Sequence, residues 1–532
     1  MVCFFRDTLV NIYFLCAASR YCQYLAGKVL PKIKTMSLAA GVIPTPRIHP
    51  LPCYSSISSI NGPIVVVDKV QRQCYGEIVT LRLGNGEIRT GKVLECHGSQ
   101  AVLQVFEGTE GLDIKQTSAK FTGEVMKVGV SRALLGRTLS GAGEIIDGGA
   151  PVLAEEIRDI EGSSLNPVSR EYPKNCLETG ISTIDILTSI CQGQKILLLS
   201  GSGLPYNPLL AQIARNARVC VPWEKAAAGG EVQVSEDDKF MIVFAGIGLS
   251  HEQAMFFKTQ FEQTGALNRS VILLNLASDP VVQRISTPRI AVTIAEYFAY
   301  TLGYHVLVLL SDIFNYADAL RQISSARNEV PGRKGYPPYL YSDLSTIYER
   351  AGRVHGIKGS ITQIPLITLP NDDITHIIAD LSAFITEGQI FQDRKLFNKN
   401  IVPAVDPLPS LSRLQKSAIG KGKTREDHPD VANQLYASYA IAVEVLSLKS
   451  IVGSEGLSDN DHKYLKFLEV FEEQFLKQDF NTRRSIYESL DLAWKCLRVL
   501  PINLLSRISD SILEKYYYIQ SDVAEQQGTK TK

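Results

Sequence analysis

The sequence predicts an α/β protein, with an all-β barrel ahead of the α/β domain and an α-helical domain behind it. Three observations carry that prediction. Residues 62–121 hold short β-rich runs separated by turn residues. From about 130 to 407 strands and helices alternate, and beyond Asp430 apolar residues recur at helical spacing. The 532 residues divide accordingly into an N-terminal extension, 1–59, expected to be poorly ordered; a barrel, 60–128; an α/β domain, 129–408; a helical domain, 409–519; and a disordered tail, 520–532.

The barrel rests on runs at 63–68, 77–83, 88–96 and 101–106, with Gly84-Asn85-Gly86 between two of them. An Asn-Gly step between β-rich runs is a strong hairpin signal, because both turn residues tolerate positive φ. Ahead of it, residues 1–35 carry Arg6, Arg20, Lys28, Lys32 and Lys34 against Asp7, with an apolar stretch at 9–18. That pattern allows a signal or transit peptide. The preferred reading is an extension before a start at Met36, since the body of the chain reads as cytosolic.

In the α/β domain, 241–245, 271–276 and 305–310 are apolar runs of strand length, as expected of a parallel sheet covered on both faces. Residues 226–238 read as a surface loop. In the helical domain Tyr464, Leu468, Phe471 and Phe475 make one stripe and Ile486, Leu490, Ala493 and Leu497 a second. Both are expected to be bundle core. Ser458 with Asp461 forms a helix N-cap pair.

Lys+Arg and Asp+Glu both number 55, so overall charge recruits neither nucleic acid nor an anionic membrane. The ten cysteines include no C-x-x-C pair, which argues against zinc and a disulfide framework and for reduced thiols. No uninterrupted apolar run approaches about 18 residues, so no transmembrane helix is expected.

The chemistry centres on residues 200–207. A short apolar strand at 195–200 runs into Ser200-Gly201-Ser202-Gly203-Leu204-Pro205-Tyr206-Asn207, and a helix is expected over 208–217. A Gly-rich turn between strand and helix cradles phosphate on backbone N–H groups. The working motif ends in Gly-Lys-Ser/Thr. Here Ser200 replaces the first Gly, Pro205 the second, Tyr206 the Lys and Asn207 the Mg²⁺-binding hydroxyl. Tyr206 brings no positive charge, and Pro205 brings no N–H. Pro208 is tolerable as a first helical residue. A second element, the apolar strand ending in Asp312, suits a Mg²⁺-holding aspartate or a turn cap, and the residues leave that choice open.

Further blocks carry a family resemblance: 135–147, 179–185, 329–339, 348–353, and the stretch Phe244-Ala245-Gly246-Ile247-Gly248-Leu249. With Pro403 to Ser412 these resemble the ring subunits of rotary ATPases, the α/β superfamily, across roughly residues 60–518. The degenerate loop, Asn371-Asp372-Asp373-Ile374-Thr375-His376 and residues 385–390 are similar to the non-catalytic B subunits of V-type (vacuolar) ATPases. The sequence departs from that pattern at Gly201, Ser202, Pro208 and Ile377.

The resemblance implies a RecA-like P-loop NTPase fold with a degenerate P-loop. Catalytic relatives carry a water-activating Glu where this chain has Leu249, and Glu252 lies too far along to replace it. Residue chemistry alone would make Arg413 a surface or ion-paired arginine. The resemblance implies instead an arginine finger in trans, reaching ATP held by a neighbouring catalytic A subunit. Gly201, Gly203 and Asn207 would line only a degenerate, non-catalytic pocket. It also implies a three-plus-three ring with A subunits, a rotor shaft and peripheral stalk as partners, and indirect contact with a membrane proton sector. Mg²⁺ would sit in the neighbour's site, with no metal held by this chain. The location would be the cytoplasmic face of vacuolar or other endomembranes, or the cytosol after disassembly, in service of organelle acidification. Two rivals stay open: a self-sufficient ring ATPase of the catalytic or export type, and a scaffold that keeps only the fold.

Overall fold

The computed structural model describes residues 52–224 and 239–517. The readings for residues 1–51, for the loop at 226–238 and for the tail at 520–532 lie outside them.

Seven strands form the N-terminal sheet: β1 (Cys53–Tyr54), β2 (Ile57–Asn61), β3 (Ile64–Val67), β4 (Glu77–Arg82), β5 (Ile88–His97), β6 (Gln100–Val105) and β7 (Ser118–Val125). Their order is β1-β7-β4-β5-β6-β3-β2, antiparallel throughout. The two end strands are halves of one segment broken for two residues. One half pairs with β7 and the other with β3, so the chain itself closes the barrel. The strands therefore begin at Cys53, ahead of the expected boundary at 60; the serine-rich run 53–61 offers too little apolar alternation to announce a strand. Val65, Val67, Val79, Leu81, Val93, Leu103 and Val105 fill the interior. Gly86, at φ 89°, turns the hairpin between β4 and β5.

The central sheet uses β8 (Thr138–Ser140), β9 (Leu197–Gly201), β10 (Phe240–Leu249), β11 (Ser270–Leu276), β12 (His305–Ser311), β13 (Ser360–Leu369), β14 (Gly388–Gln392) and β15 (Val405–Ser412). Their order is β15-β14-β9-β13-β12-β10-β11-β8, with a short strand at Gly352–Arg353 beside β13. All pairs along this path are parallel except β14–β15. Both faces are buried, which explains the uninterrupted apolar runs. Ile196 and Leu198 enter one core, Leu197 and Leu199 the other; Ile242 and Phe244 are separated from Val243 and Ala245 in the same way.

The reversed strand β15 ends the sheet, and the chain then leaves for the helical domain. There α-helices His428–Val452, Asp459–Val470 and Ile486–Leu497 pack together. Every residue of the two expected stripes is buried. Phe467, Phe471 and Phe475 stack with centroids 5.5 and 5.0 Å apart. Ser458 and Asp461 form the reciprocal capping box. Helix His428–Val452 is long and apolar enough to cross a membrane by length and composition, although its apolar residues are interrupted and form no continuous run. Val431, Leu435, Tyr439 and Ala442 on it pack into the domain core.

Candidate functional site

The loop at 202–205 leaves the C-terminal end of β9, the side of an open α/β sheet where ligands bind. The helix behind it spans Tyr206–Asn216, with Pro205 at the N-cap. Pro208 is thus its third residue rather than its first; a missing N–H still costs nothing there, because the first four helical donors have no partner in the helix.

Three of the loop's own amides are bonded within the chain. Ser202 N–H donates to the Leu369 carbonyl (3.2 Å), Leu204 N–H to Gly201 (3.2 Å) and Tyr206 N–H to Leu204 (2.8 Å). A cradle for phosphate needs those donors free. Gly203 takes a left-handed φ of 81°. At Gly201 any Cβ would collide with Asp372 Oδ1. Asp372 is held by Arg394 through two bonds of 2.7 and 2.8 Å, and Arg394 Nη2 also donates to the Ser202 carbonyl at 2.7 Å. Asn207 Oδ1 is buried with no hydrogen-bond partner among the described residues.

Tyr206, Asp312 and Leu249, at the motif positions, do structural work here. Tyr206 is half-buried and accepts from Gln253 Nε2 at 3.4 Å; burial and the neighbouring Asp312 raise its phenol above the usual value. Asp312 caps the helix Ile313–Ala326 through Phe314 N–H (3.2 Å) and accepts from Thr368 Oγ1 (2.9 Å). Burial pushes its carboxyl up to about 6. Leu249 is 2% exposed, packed in the core against Gly246. Glu252 lies exposed in the first turn of helix His251–Gln263. Among the described residues no group of three or more His, Cys, Asp or Glu could hold a metal ion. With Tyr206 where a lysine would stand and the Ser202, Leu204 and Tyr206 amides already bonded, the loop offers neither the cation nor those donors to a triphosphate.

Arg413 stands at the other end of the sheet. Ser412 pairs with Gly388 on β14, whose Gln389 pairs with Leu197 on β9. Arg413 is level with Lys195, six residues before Gly201, which puts about 20 Å of strand between it and the loop. Its guanidinium is exposed and, among the described residues, makes no hydrogen bond or ion pair. Its backbone N–H donates to the Glu387 carbonyl at 2.9 Å.

Comparisons with known proteins agree along the chain. Residues 57–123 match the ATP synthase alpha/beta family, beta-barrel domain, and 180–412 that family's nucleotide-binding domain. Residues 417–517 match the C-terminal domain of V and A type ATP synthase. The B 1 subunit of the V-type proton ATPase from Acetabularia acetabulum is 53% identical over 473 residues, 89% of this chain and 95% of that protein. The chain belongs to the family of V-type proton ATPase B subunits. The B 2 form from the same organism matches equally, 53% over 472 residues. Among solved structures, the ATP synthase subunit NeqB from Nanoarcheaum equitans superposes with a TM-score of 0.63 at 36% identity, covering 82% of this chain and 98% of that one.

Within this B-type member, the structure brings Gly201, Gly203 and Asn207 into one turn and keeps Arg413 apart from them. Arg394 and Thr368 carry no sequence signal, since neither lies in a motif. The Asn371–His376 block, similar to the family pattern, also delivers Asp372 to the loop. At Ile377 the helix Ile377–Ile385 begins, with the His376 side chain accepting from Ile378 N–H at 3.4 Å. That first helical position would accept Pro, as in the family pattern.

Proposed function

We propose that this chain is the non-catalytic B subunit of the peripheral sector of a V-type proton ATPase, and that Arg413 serves ATP bound by a neighbouring catalytic A subunit. Three copies alternate with three A subunits around a rotor shaft, held by the peripheral stalk on the cytoplasmic face of an endomembrane. ATP hydrolysis at the A subunits then drives proton transport through the membrane sector. One observation supports the reading most: an exposed guanidinium, unpartnered among the described residues, on a fixed strand end about 20 Å from the chain's own loop. A planar, permanently charged fork suits the charge that builds on a transferring γ-phosphoryl group. The tied loop amides, Tyr206 and Leu249 leave this chain without a hydrolytic site of its own, and they weigh against a self-sufficient ATPase.

The test is Arg413→Ala in the reconstituted complex. Steady-state ATP hydrolysis is expected to fall by ~10³-fold or more, with ring mass unchanged in native mass spectrometry. Unchanged hydrolysis would remove the proposal. Turnover of ATP by the purified chain alone would favour the self-sufficient rival instead.

A further inference from the structure

Among the described residues nothing holds the Arg413 side chain, so its aim depends on its backbone. That backbone rests on a buried polar base at the start of β9. Gln194 is fully buried. Its Nε2 donates to Ser412 Oγ at 3.0 Å and to the Glu387 carbonyl at 3.3 Å, the same oxygen that accepts Arg413 N–H at 2.9 Å. Its Oε1 accepts from Cys191 N–H at 2.9 Å. One side chain thus grips the residue before Arg413 and the carbonyl to which Arg413 is pinned.

Next in sequence, Lys195 fixes Glu387. Lys195 N–H donates to Glu387 Oε2 at 2.9 Å, and Glu387 N–H returns to the Lys195 carbonyl at 2.8 Å. The Lys195 ammonium, 3% exposed, reaches Glu349 Oε1 at 2.7 Å, and Arg170 holds the other oxygen of Glu349 at 2.6 Å. Such a base is costly to bury and, once fully bonded, stiff.

We infer that Gln194 is a positioning residue for Arg413: it sets the strand end from which the guanidinium reaches over to the neighbouring chain. The inference rests on the trans-acting role of Arg413 proposed above. A displacement of about 1 Å at a reacting centre can cost ~10²-fold in rate, so a partial loss of aim should show in turnover.

The test is a double-mutant cycle in the reconstituted complex, using Gln194→Leu and Arg413→Lys, the latter chosen to leave measurable turnover. Gln194→Leu alone is expected to lower kcat about tenfold with KM for ATP unchanged and ring mass intact. In the Arg413→Lys background it should lower kcat by less than about twofold, because there is little aim left to lose. Equal losses in both backgrounds would make Gln194 merely structural and overturn the inference while leaving the Arg413 reading standing. An Arg413→Lys complex as fast as the wild type would overturn both. If the Gln194→Leu chain does not assemble, Ser412→Ala removes only the hydroxyl partner, and the same cycle decides between the two outcomes.

Discussion

The two ends of β9 have been treated oppositely. At its C-terminal end the features that would hold phosphate are gone: the amides of Ser202, Leu204 and Tyr206 bond to the chain's own carbonyls, and Leu249 fills the place of a carboxylate. At its N-terminal end a cation stands in solvent, without a partner among the described residues, while Gln194 and Lys195 under it are buried and bonded. A group with no use inside its own chain, carried on a rigid base, is what a neighbour's site would need. At the loop end three amides are satisfied from within, while Asn207 Oδ1 is left without a partner among the described residues. Loss and retention therefore have to be judged at both ends, since either alone would suggest a damaged enzyme.

The largest expected effect tests the loop end. Leu249→Glu places a carboxylate in an apolar core, and should cost about 4 kcal/mol in denaturant unfolding. A variant as stable as the parent would mean the site still has room for an acid. Second, Arg413→Lys keeps the charge but loses the planar fork. ATP hydrolysis by the complex should fall ~100-fold, about 2.7 kcal/mol in barrier, with no change in the melting temperature of the isolated chain. A matching loss of stability would place Arg413 among structural residues and collapse the contrast.

The smallest effect concerns Asp312. Its carboxyl lies at about 6 in the fold against an ordinary 3.8. The folded chain thus binds this proton more tightly than the unfolded chain. The resulting stability is complete below about pH 4 and is lost as pH rises through about 6. Asp312→Asn keeps an oxygen for Phe314 N–H and Thr368 Oγ1 but removes the buried charge. It should raise stability by about 2 kcal/mol at pH 7.5 and flatten the melting temperature between pH 4 and 7. A variant that instead lowers hydrolysis by the complex while leaving that profile unchanged would give Asp312 a chemical task and reopen the loop end.

Much of the architecture is legible because it follows from repeating patterns. Alternating burial on a two-faced sheet writes runs such as 196–199, and the helical stripes recur every three or four residues. The closing strand of the barrel is not legible, because Ser55, Ser56, Ser58 and Ser59 obscure its alternation. At the site, Tyr206, Asn207 and Leu249 could be read as substitutions in known positions. That the loop amides are tied, that Asp372 and Arg394 lie over Gly201, and that Gln194 grips Ser412 are matters of three-dimensional approach. The longest of these links join residues 170 or more positions apart, which no local pattern records.

The reversal at β15 has a mechanical consequence. Every other strand along the main path of the sheet points toward the loop end; this one turns back, and its last residue lies next to Arg413 at the doorway of the helical domain. Arg413 thus occupies the joint where the chain passes from sheet to helices. The degenerate loop lies a full strand length away, and the helix behind it is tied to the helical domain separately, through Gln212 to the Asp479 and Thr482 carbonyls and Arg215 to Asn481.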